Sequence, residues 1–83
     1  MKRKFPDLKN GQVALIRVDY NTGIVLDENF KYATSDEQIV FTVFDSIDSA
    51  LIVAQGIVKE RIDVECSIFN ESNQIINVVR PTR

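Results

Sequence analysis

The side chains able to do chemistry are few in kind and unevenly placed. Asp19, Asp27, Glu28, Asp36, Glu37, Asp45 and Asp48 crowd one stretch in which Lys31 is the single base. Carboxylates gathered in this way could hold a cation or work as a general acid–base pair. A calcium loop needs oxygen ligands at fixed spacing around a central glycine, and neither Asp27 nor Asp36 begins such a series. An acid–base pair needs one carboxyl buried and shifted upward, and no pair here carries that signature. The plain expectation is solvated loop and cap carboxylates. A small carboxylate-based enzyme or ligand-binding domain stands as one alternative.

The chain has one cysteine and no histidine. That removes Ser–His–Asp and Cys–His catalysis and the usual zinc sites. Cys66 alternates with Val64 and Ile68, a phase in which a thiol is a small inert hydrophobe and not a nucleophile. The three glycines form no phosphate-cradling series, so a P-loop or dinucleotide turn is excluded. The expectation is a non-catalytic chain with no cofactor and no metal.

The remaining chemistry is contact. Lys2, Arg3, Lys4 and Lys9 make residues 1–10 a basic arm, expected to be flexible, ahead of a single domain over 11–83. An arm of this kind could touch phosphates, so a nucleic-acid-associated regulator is a second alternative. The net charge of −2 argues against it, because phosphate binding needs a basic footprint. No strand carries an aromatic stacking pair with flanking bases. Phe30 and Tyr32 sit in a polar loop from Asp27 to Asp36, where they serve either as contact anchors or as a lid on the core.

The elements that position these residues follow from hydrophobic period. Gln12 to Tyr20 alternates, with Ala14, Ile16, Val18 and Tyr20 opposite Val13, Leu15, Arg17 and Asp19, which predicts a strand. Tyr20-Asn21-Thr22-Gly23 supplies a tight turn, and Ile24 to Leu26 returns. Gln38 to Phe44 is apolar on both faces and reads as a central strand. From Ile47 the apolar positions 47, 50, 51, 54, 57 and 58 mark a helix, capped by Asp45 or Ser46. Arg61 to Asn70 alternates again, and Gln74 to Arg80 returns until Pro81. The ten isoleucines and ten valines favour a sheet.

The order β-β-β-α-β-β predicts an α+β domain: a mixed, mostly antiparallel sheet of about five strands with one helix on one face. The helix crossover should run its flanking strands parallel and right-handed. Taking Ala14, Ile16, Val18, Val64, Cys66 and Ile68 as the helix side leaves Val13, Leu15, Val40, Phe44, Phe69, Ile75 and Val79 on an open face. Polar neighbours break up this patch, or the segment with Phe5 and Leu8 folds over it, or it meets a second copy or another partner. Ile52 falls on the polar side of the helix.

Together these readings predict a protein-interaction or accessory domain, self-associating as a homodimer or binding another protein. The expected contact residues are Phe30, Tyr32, Leu15, Phe44 and Phe69. No export signal or membrane span is expected, which points to the cytoplasm.

Overall fold

A computed structural model describes residues 4–82. It contains β1 (Val13–Asp19), β2 (Val25–Leu26), β3 (Thr42–Phe44), α1 (Ile47–Glu60), β4 (Val64–Phe69) and β5 (Ile75–Val79). This is the expected α+β domain, one five-stranded sheet with one helix between β3 and β4, forming a slab 34 × 31 × 18 Å.

Every strand pairing is antiparallel. β1 is the axis of the sheet. One of its edges pairs with β4 along Ala14 to Asp19. The other is shared end to end, with β3 beside Val13 to Leu15 and β2 beside Arg17 and Val18. β3 and β4 therefore run in the same direction, as a helical crossover requires, but β1 lies between them and they are not neighbours. β5 adds to the far side of β4.

The helix forms where its apolar stripe and caps agree. Ser46 Oγ accepts the Ser49 N–H at 3.2 Å, closing the first turn, and Asp48 and Lys59 suit the ends of the dipole. Ala50, Ala54 and Val58 are buried, with Ile47, Leu51 and Ile57 packed alongside. The first hairpin closes through Gly23, whose φ of +76° is open to glycine at little cost. Asp19 Oδ1 accepts from the Asn21 and Thr22 amides there.

The phase of β1 is the reverse of the one expected from sequence. Arg17 stands directly opposite Cys66, and Leu15 opposite Ile68, and residues opposite each other share a face. Val13, Leu15, Cys66 and Ile68 thus form the core under the helix, joined by Phe44 and Val79. Ala14, Ile16 and Val18 face the other way. The reversal is possible because Arg17 lays its stem along the core and finds polar partners for its head. One of its amino groups donates to the Val40 carbonyl at 3.2 Å, the other to Thr42 Oγ1.

The run from Gln38 to Phe44 is not a central strand either. Only Thr42–Phe44 pairs, at the outer edge of β1. Its apolar residues are spent on different surfaces: Val40 and Phe41 line the open face, while Phe44 joins the helix side. Likewise Arg61 to Asp63 form the link into β4, and Ile62 is exposed.

Candidate contact surface

The open face is covered in part by the chain's own N-terminal segment. Phe5 packs edge-on against Phe41 at 5.4 Å and Phe69 at 6.0 Å between ring centroids. Ile16, Val25 and Val40 complete an apolar groove of about 400 Å³ around this aromatic trio. Ala14 is fully buried beneath this layer. Val43, Ile75 and Val78 of this face stay exposed. Of the basic arm, Lys2 and Arg3 lie outside the described residues, and Phe5, Pro6 and Leu8 are half-buried.

The loop after β2 is tied by one carboxylate and one amide. Asp27 is buried, and its Oδ1 accepts the Asn29 and Lys31 amides at 2.8 and 3.0 Å. Gln38 Nε2 donates to Asp27 Oδ2 at 2.7 Å and to the Tyr32 carbonyl, while Gln38 Oε1 accepts from Thr34 and Ser35. Residues 31–33 fold back along β2, through the Leu26–Tyr32 bridge and the Ala33 amide on the Val25 carbonyl. The β2 edge is thereby covered.

These bonds set the local electrostatics. The Gln38 side chain and the Lys31 and Asn29 amides hold the Asp27 carboxyl below the usual range. The Asn21 amide, then the Tyr32 hydroxyl, do the same for Asp19, whose Oδ2 accepts from Tyr32 at 2.9 Å. A general acid needs the opposite shift. Burial pushes the Cys66 thiol up to about 11, against a smaller downward pull from Arg17. Burial also lowers Arg17. Among the described residues no three acidic or thiol groups converge as metal ligands, and no helix is long and apolar enough to cross a membrane.

The five expected contact residues are therefore dispersed. Leu15 is fully buried in the core and unavailable to a partner; Phe44 is half-buried against the same core. Phe69 lies under Phe5. Phe30, at φ +63°, turns its ring beneath the Arg61 guanidinium, 4.4 Å from the ring centroid, beside the last turns of α1. Tyr32 is 46% exposed, its hydroxyl fixed on Asp19. The structure brings none of the loop aromatics to the sheet face.

A different surface emerges at β5. Among the described residues it pairs with β4 alone, so its outer row of backbone N–H and C=O groups faces outward. From Gln74 to Val79 it carries no charge. Ile75, Ile76 and Val78 are 57, 40 and 39% exposed. A bulge at Ile76 shifts the register between Ile68 and Phe69. The signal for this surface in the sequence was the uncharged run itself; its edge position depends on strand order.

No protein-family model, curated protein or solved structure matches the chain.

Proposed function

We propose that this chain is a non-catalytic protein-interaction domain that receives an extended partner segment along β5. The observation that carries the reading is the uncharged edge. Natural sheets blunt such edges with lysine, proline, a bulge or a covering segment. Here β2 is covered by residues 31–33, whereas β5, bulged at Ile76 and followed by Arg80 and Pro81, presents Ile75, Ile76 and Val78 along an edge that pairs with no other described strand. Backbone pairing supplies affinity in this mode, and alternate side chains supply selectivity. Two further features support a role without catalysis: the shifted carboxylates are drawn down by structural hydrogen bonds, and the thiol is pushed up. A single unpaired cysteine suits the reducing cytoplasm.

The test is a selection of displayed random peptides on the intact protein, followed by amide chemical-shift mapping of the selected binders. Binders that shift the Ile75–Val79 amides, and that lose at least tenfold in affinity on Val78→Lys, support the reading. A selection without binders, or binders whose footprint lies away from β5, overturns it.

A further inference from the structure

On the opposite layer, α1 turns outward two residues, Ile52 and Gly56, that the monomer does not explain. Ile52 is 72% exposed, the highest value among the exposed large apolar side chains. One turn later stands Gly56, in the helix interior, where glycine is less favourable than alanine. Nothing lies within 4 Å of the position its Cβ would take, so no close approach within the monomer requires it. Beside Gly56 opens a shallow hollow of about 520 Å³ lined by Phe30, Val53, Ile57, Glu60 and Arg61.

Helical geometry sets Asp48, Ile52, Gly56 and Lys59 along one outward strip. Read from the N-terminus, the strip runs acid, knob, notch, base. A second copy laid parallel would set like against like. Laid antiparallel about a two-fold axis, the strip complements itself: knob meets notch, and acid meets base at both ends. We propose that α1 is the self-association seam of this protein, two copies crossing antiparallel with the Ile52 of each seated at the Gly56 hollow of the other and Asp48 facing Lys59.

One helix pair buries little area, so the dimer is weak, with a dissociation constant on the order of micromolar. The seam leaves β5 free on both copies. It therefore stands or falls independently of the edge-strand reading.

Sedimentation equilibrium over about 1–500 μM tests the seam on the full chain. The expected result is a monomer–dimer equilibrium weakened at least tenfold by Ile52→Glu. Gly56→Gln should weaken dimerisation while raising the melting temperature of the dilute monomer, a pair of opposite signs that a folding defect cannot produce. Asp48→Lys and Lys59→Asp should each weaken the dimer, and the double exchange should restore it. A strict monomer across the range overturns the proposal. So does a dimer indifferent to the helix variants but abolished by Val78→Lys.

Discussion

Arg17 and Cys66 face each other across β1 and β4, both buried on the helix side of the sheet. The guanidinium finds its hydrogen bonds sideways, on Val40 and Thr42, and not across the ladder. The thiol is left in an apolar setting that holds it protonated up to about pH 11. A raised pKa for an acid means that the folded state keeps its proton longer than the unfolded one. The corresponding stability is present below the ordinary thiol value of 9.0 and is lost as pH rises toward 11. Alkylation at pH 8 should accordingly follow the rate of opening, not of simple encounter. In pH titrations of melting temperature, Cys66→Ala should lack the wild-type decline assigned to this window.

Replacing Arg17 tests the polar half of the same site. Arg17→Met keeps the stem and removes both donors, leaving the buried Val40 carbonyl and Thr42 hydroxyl to find other partners. We expect a loss of about 1–3 kcal/mol in urea denaturation, the usual cost of a buried acceptor left unpaired. A variant as stable as wild type would show that water reaches those acceptors.

Asp27 gives the acid side of the stability profile. Its carboxyl is held low by Gln38 and by the Lys31 and Asn29 amides. A lowered pKa contributes stability above the unfolded value of about 3.9, and that contribution is lost as pH falls through the folded value. Asp27→Asn should therefore melt below wild type at pH 6, with the gap closing toward pH 2. Thermal scans across that range measure it directly.

The orientation of β1 is open to a paired substitution. Leu15→Ala removes a fully buried core side chain and should cost about 2–5 kcal/mol. Ile75→Lys, on the exposed β5 edge, should change stability by no more than about 0.5 kcal/mol. A Leu15→Ala variant within about 0.5 kcal/mol of wild type in denaturant unfolding would restore the phase that alternation alone suggests.

Phe5 tests the cover on the open face. Phe5→Ala removes both edge-on ring contacts and should cost about 1–2 kcal/mol, since the ring is half-buried. Binding of a hydrophobic dye to the uncovered Phe41–Phe69 groove should rise.

The helix was legible because its stripe, its Ser46 cap and the charges at its ends all agree locally. The strand pairs and turns at Tyr20–Gly23 and Asn70–Gln74 were legible for the same reason, the second held by Asn70 Oδ1 on the Ser72 and Gln74 amides. The orientation of β1 was not. Ala14, Ile16 and Val18 are as apolar as Val13 and Leu15, and Arg17 tipped the assignment outward. Its true destination depends on Val40 and Thr42, which lie far along the chain. The run at Gln38–Phe44 misled because continuous apolarity also results when successive residues serve different layers. The β5 edge could not be read locally at all, since an edge is a property of strand order.

The central position of β1 also governs how the chain comes together during synthesis. β1, β2 and β3 emerge first and can pair among themselves, but the second edge of β1 waits for β4, which begins only at Val64. At roughly 5–20 residues per second, that wait lasts on the order of seconds. Until α1 and then β4 follow, Val13 and Leu15 lack the cover that the finished sheet gives them. The nascent half-sheet is thus the sticky species of this protein, and slowing translation between Phe44 and Val64 should raise aggregation more than an equal delay elsewhere.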